Sequence, residues 1–299
     1  MTKNTKSPET VWLNPYKRGN YQFFREWATA AWKRAGGTVL QDWNLPLKLK
    51  MAIGKIGLVF AFPMRHRRRL IVCTGGRPDY MSWPWCYFFE IVPIVWDCWP
   101  KYRPAMVRFI KKNNVHLVFC TASQTADFLN RTFAAPDTRK PFPFRAVWLP
   151  EGIDIASYPM GPRLADRTCD IMRFGRDAGG KLIYPTFEAL TAAMRNSKII
   201  ICRPRCDTNP EEAGDIETLT QRYWEAMLSG AVISGRAPRE LTDFCGYNPV
   251  IENEGPEMIL SHIEDFQELV DKNRAFAEQN AAWDLRIKAI KAELGEPNT

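Results

Sequence analysis

The 299 residues are 45% hydrophobic and 25% charged, which suits two domains of ordinary size or one large α/β domain and excludes a disordered chain. The net charge of +8 is unevenly spread: residues 1–150 carry 24 Lys+Arg against 8 Asp+Glu (+16), and residues 151–299 carry 17 against 25 (−8). A half so basic attracts something anionic, whether nucleic acid, an acidic membrane surface or a phosphorylated or acidic glycan, and charge alone does not choose among them.

The N-terminal MTKNTKSPET has no apolar core of a secretory leader. Thr10–Asn14 reads as a short strand, and Tyr21–Arg34 has helical spacing after a turn carrying Gly19. The run Ile56–Met64 is too short to span a bilayer. Its flanks are Lys48, Lys50 and Lys55 on one side and Arg65, Arg67, Arg68 and Arg69 on the other. Two readings stay open: an interfacial segment that docks an anionic acceptor or membrane, or a buried strand followed by a solvated basic loop. Strands are expected at Leu70–Thr74, over IVPIVW before Asp97, at Val115–Thr121 and at Ala146–Leu149, with helices over Arg103–Asn113 and from Ser123. Residues 155–167, with two prolines and a glycine, read as a linker. Beyond it the alternation restarts, with strands at Cys169–Phe174, Lys198–Cys202 and Ala231–Ser234 and helices at Thr186–Arg195 and Thr218–Ser229. A long helical tail is expected over Glu257–Leu294. Such strand–helix alternation predicts parallel sheets. The eight cysteines show no CxxC pair and no metal spacing, so they read as reduced core residues of a cytoplasmic protein.

The segment GDIETLTQRYWEAMLSGAVISG carries the chemistry. Thr218 and Gln221 have the T-x-x-Q spacing of a capping box, which predicts a helix from Leu219 to a terminal Gly230. The unpaired N–H groups of its first turn, at Leu219, Thr220 and Gln221, suit a diphosphate. Arg222 adds a fork for phosphate oxygens, and Glu225, three residues on, can accept hydrogen bonds from ribose hydroxyls. On pattern alone an ordinary amphipathic helix with an Arg–Glu pair fits better.

The same segment resembles the donor-binding signature of GT-B glycosyltransferases, in particular the family-4-like and spore-protein-like "glycosyl transferases group 1" proteins. Glu217 and Glu225 keep an E-x7-E spacing, and EAMLSGAVISG resembles the family's continuation. FGRDAGGK (Phe174–Lys181), WLPEGIDIASYP (Trp148–Pro159) and VHLVFCTASQTADFL resemble further family elements in the same order. The resemblance implies an α/β fold of two Rossmann-like parallel-sheet lobes with a cleft between them and a C-terminal helical tail. The lobes are residues 1–150 on the acceptor side and 165–256 on the nucleotide-sugar side, with the tail, 257–299, packing back across them. It implies a hexosyltransferase-like enzyme moving a sugar from a nucleoside-diphosphate sugar to a glycan, lipid-linked or other hydroxyl. Arg176, Lys181, Thr220, Gln221, Arg222 and Glu225 would bind the donor, and Glu217 would sit beside the sugar. Asp97, after its strand, is either an acceptor-side base or a strand-end cap. No D-x-D motif occurs, so neither a metal nor another cofactor is expected beside the donor co-substrate. The alternative is a non-catalytic protein of the same shape whose basic lobe binds nucleic acid or an anionic membrane, although no nucleic-acid motif is present.

Overall fold

A computed structural model describes residues 9–14, 23–43, 45–46, 48–49, 52, 56, 68–76, 78, 82–134, 142–172 and 183–296. The chain divides into two compact units. One comprises Met1–Pro150, Glu211–Ile216 and Arg286–Thr299, and the other Glu151–Pro210 and Glu217–Leu285.

The first unit is built on a six-stranded, wholly parallel sheet in the order β2-β1-β3-β4-β5-β6. The strands are β1 (Glu9–Asn14), β2 (Thr38–Gln41), β3 (Arg68–Thr74), β4 (Glu90–Val95), β5 (Leu117–Cys120) and β6 (Arg145–Trp148). Their interiors are continuous apolar runs because a parallel sheet buries both faces: Leu70, Ile71, Val72 and Cys73 are all buried in succession. Helices α1 (Phe23–Arg34), α2 (Arg103–Asn113) and α3 (Ser123–Ala134) make the crossovers that parallel pairing requires. Met106, Phe109 and Ile110 of α2 and Leu129 of α3 pack into one core with Val72, Val95 and Val118. Strand order reverses between β1 and β3, so the crevice beyond their carboxyl ends is the topological switch point, where open α/β sheets bind ligands.

The second unit holds a three-stranded parallel sheet, β7-β8-β9 (Cys169–Met172, Ser197–Cys202, Val232–Gly235), extended by a bridge between Ser234 and Ile251. Its helices are α4 (Phe187–Asn196), the short α5 (Arg205–Thr208), and α7 (Gln221–Ser229); the single turn α6 (Pro210–Ala213) runs into the first unit. After β9 come α8 (Arg239–Cys245), α9 (Pro256–Ser261), α10 (Gln267–Asn280) and α11 (Trp283–Leu294). Ile199, Val232, Ile259 and Val270 close the core around Leu164.

Three local readings change. Residues 155–167 are packed into the second unit: Tyr158, Leu164 and Arg167 are buried, and Arg167 donates to the carbonyls of Pro162, Ser197 and Ser229. The tail is broken rather than continuous. His262 leaves helical geometry at φ −141°, and Ala282 pairs as a bridge with Ile153 between α10 and α11. The helix expected from Leu219 starts two residues later, at Gln221. No helix among the described residues is long and apolar enough to cross a membrane.

Candidate functional site

Helix α7 lies in the crossover from β8 to β9, which are parallel, so its first turn stands at the carboxyl edge of the second sheet. Arg222 and Glu225 stand in the first turns of α7, near that edge. Burial pushes the Cys202 thiol up to about 12, with Arg222 opposing and Glu225 adding to the rise, so it is an inert core thiol.

The capping box does not form. The Thr218 hydroxyl is buried with no hydrogen-bond partner among the described residues, and the N-cap Thr220 makes no side-chain cap bond. Two distant carboxylates cap the helix instead. The Gln221 N–H donates to Glu151 Oε2 at 2.9 Å, and the Leu219 N–H donates to Glu240 Oε2 at 2.9 Å. The Gln221 side chain donates to the Gly152 carbonyl at 3.3 Å, and the Trp224 indole to the Glu151 carbonyl at 3.0 Å. The positive end of α7 thus already faces carboxylates. At the other end Gly230 takes a left-handed φ of 69°, where a Cβ would come 2.9 Å from Arg167 Nη2.

Glu225 is half-buried and accepts a hydrogen bond from the Tyr158 hydroxyl at 2.7 Å. Burial raises its carboxyl above the usual range, while the Tyr158 hydrogen bond and the Arg222 charge pull it back. The Tyr158 phenol is pushed up by burial and by the neighbouring Glu225 charge, so it stays a donor. Arg222 is exposed, one turn before Glu225.

Glu217 belongs to a separate network. Arg236 pairs with Glu217 Oε1, and Glu217 Oε2 accepts the Arg239 N–H at 2.8 Å, at the start of α8. Arg236 also forks onto Asp207 with both bonds at 2.6 Å, and its carbonyl accepts from the Tyr223 hydroxyl at 2.6 Å. The Arg236 hydrogen bond holds the Asp207 carboxyl below its ordinary value.

Asp97 follows β4 at the carboxyl edge of the first sheet, exposed, with a left-handed φ of 49° and its carbonyl accepting the Trp99 N–H at 2.8 Å. Asp is among the few residues that adopt this conformation at small cost. Gly75 and Gly76 follow β3 at the switch point; a Cβ on Gly76 would come 2.3 Å from the Tyr102 ring. Arg68 pairs with Glu9 at 2.8 Å, and Arg69 with Glu90 at 3.6 Å, while Arg69 also donates to the Leu294 carbonyl at 3.0 Å. Arg65, Arg67, Arg176, Lys181 and Gly19 lie outside the described residues. Among the described residues no three His, Cys, Asp or Glu side chains converge as a metal site would require.

Sequence reasoning missed Tyr158, Glu151, Asp207 and Arg236. Tyr158 and Glu151 stand within PEGIDIASYP, but no local spacing links them to a helix some 70 residues on. The tyrosine beside Pro159 in that segment was the one signal the sequence offered.

No family model matches the chain, and no curated protein matches it by sequence. Among solved structures, TarM aligns with a TM-score of 0.44 at 11% identity, covering 81% of this chain and 58% of that one. AviGT4, described as a glycosyltransferase involved in avilamycin A biosynthesis, aligns at 0.42 and 10% identity over 96% of this chain and 97% of its own. The pneumococcal O-GlcNAc transferase GtfA, in complex with UDP and GlcNAc, aligns at 0.45 and 12% over 83% and 59%. The chain therefore spans less than two thirds of TarM and of GtfA and nearly all of AviGT4.

Proposed function

We propose that the chain is a GT-B-type glycosyltransferase that binds a nucleoside-diphosphate sugar on its second unit and passes the sugar to a hydroxyl acceptor held by its first half. The observation that carries this reading is the Arg222–Glu225 pair, one turn apart on α7 at the carboxyl edge of a parallel sheet, with the carboxylate held by Tyr158 at 2.7 Å. A held carboxylate suits a ribose diol, and an exposed guanidinium suits the diphosphate next to it. In the transfer the bond from the anomeric carbon to the diphosphate oxygen breaks, and its electron pair leaves with the diphosphate. Arg222, with Arg176 and Lys181, would stabilise that charge. The acceptor oxygen bonds to the anomeric carbon, and its proton passes to a base, for which Asp97 is our candidate. No resident metal is invoked, and the sequence has no D-x-D motif. The amide of Gln221 is left out of the diphosphate contacts because Glu151 engages it.

Thermal unfolding against UDP, GDP and ADP tests the proposal. One of the three raises the Tm, and Arg222→Ala or Glu225→Ala weakens it by roughly 10–100-fold in affinity, the size of a lost hydrogen bond to a charged group. Salt-sensitive oligonucleotide or anionic-vesicle binding with no nucleotide effect would overturn it in favour of a non-catalytic binding protein.

A further inference from the structure

We propose that Tyr158 is a positioning residue for Glu225, pinning one carboxylate oxygen so that the other is presented to the hydroxyls of a bound ribose. The inference rests on the donor-site reading above and adds to it a residue that never touches the nucleotide.

Tyr158 follows a 3-10 turn at Ile155–Ser157 and is only 1% exposed. Its ring is held at the edge by Phe187, with centroids 5.7 Å apart and planes at 90°. Its N–H donates to the Ile155 carbonyl at 3.1 Å, and its own carbonyl accepts from Arg274 at 3.4 Å. Arg274 in turn donates to the Leu228 carbonyl on α7 and pairs with Glu278. The phenol therefore has a fixed position relative to α7, and its hydroxyl meets Glu225 Oε1 at 2.7 Å. A glutamate side chain has three rotatable bonds, and at a half-buried site an untethered one spends entropy on binding. A carboxylate accepts up to about four hydrogen bonds, and this one leaves Oε2 outside the Tyr158 contact. Preorganising that oxygen converts lost ordering cost into affinity.

The other groups acting on Glu225 are Arg222 on its own helix and Cys202 at the end of β8, while Asp154 acts on Tyr158. Of these only Tyr158 donates a hydrogen bond to the carboxylate among the described residues. Removing the phenol hydroxyl leaves burial less opposed, so the carboxyl of Glu225 rises further and donor binding fails at a higher pH.

The experiment is calorimetric titration of whichever of UDP, GDP or ADP binds, from pH 5 to 8, on the wild type, Tyr158→Phe, Glu225→Gln and the double variant. The expected result is an affinity about tenfold lower for Tyr158→Phe at neutral pH, with its acid limb moved to higher pH, and no acid limb from this residue in Glu225→Gln. The double variant, like Glu225→Gln alone, shows no acid limb from this residue, because the hydroxyl moves that limb only through the carboxylate. Biosynthetic 3-fluorotyrosine, a stronger donor, moves the wild-type limb to lower pH and leaves Glu225→Gln without one, which keeps the test open if Tyr158→Phe folds poorly. A Tyr158→Phe protein with wild-type affinity and pH profile, beside a defective Glu225→Gln, overturns this inference alone. Wild-type nucleotide binding by Glu225→Gln overturns the donor-site reading and this inference with it.

Discussion

At the half-buried Glu225, desolvation opposes the charged carboxylate, and the Tyr158 hydrogen bond and the Arg222 charge favour it. Its carboxyl is raised in the folded chain, so the folded state holds its proton more tightly than the unfolded state does. The charged form therefore carries a cost above the folded value that is relieved as pH falls through it. Glu225→Gln removes the charge, keeps the shape and still accepts from Tyr158. It should unfold at a Tm equal to or above that of the wild type at pH 7, with the gain fading as the pH is lowered, while nucleotide binding is weakened. Scanning calorimetry across pH checks both halves. The Arg236 cluster has the opposite sign. Asp207 is depressed by the Arg236 hydrogen bond, so its contribution is full above the unfolded carboxylate value and fades as pH falls through the folded one. Arg236→Ala releases both Asp207 and Glu217; since the guanidinium is a third exposed, the loss should be about 1 kcal/mol, read as a lower urea midpoint at pH 7 that converges on wild type in acid.

Among elements, α7 shows how an α/β unit borrows its caps. Glu151 and Glu240 reach the N–H groups of Gln221 and Leu219 from outside the helix. Glu151→Ala should cost about 1 kcal/mol, the usual worth of an N-cap, as a fall in Tm without loss of helix content. Gly235→Ala should cost more, about 2 kcal/mol or above. The backbone there has φ 136°, and a Cβ would come 2.0 Å from the Cys202 carbonyl at the end of β8. Most of the strands were legible because a sheet buried on both faces needs unbroken apolar runs, and LIVCT and KIIIC supply them. Strand β2 was not, since TVLQ is four residues long and pairs on one side only, at the sheet edge. The helix ending at Gly230 was legible from its glycine, while its start was not, because the residues that cap it lie 70 and 21 positions away. Likewise Arg222 and Glu225 came from a local motif, and Tyr158 from no motif at all.

At the scale of the whole molecule, the first unit is completed by the far end of the chain: Arg286–Thr299 belongs to it, as does the short excursion Glu211–Ile216. Helix α11 therefore begins in one unit and ends in the other. Its second half is held by specific bonds. Arg286 donates to the Pro150 carbonyl at 2.8 Å, Arg145 pairs with Glu293 at 2.7 Å, and Lys291 donates to the Ala35 carbonyl at the end of α1. That last contact places a cation at a helix C-terminus, where the exposed carbonyls favour it. Ile287 and Ile290 are fully buried beside these bonds. Ile290→Ala removes a large apolar side chain from a fully buried site, so about 2–4 kcal/mol should be lost. The loss should appear locally. Hydrogen exchange of the variant should quicken at amides of β1, α1 and β3 in the first unit, while β7, β8 and β9 keep their protection. Faster exchange confined to the second sheet would show instead that the last helix stabilises the second unit, contrary to the chain division described above.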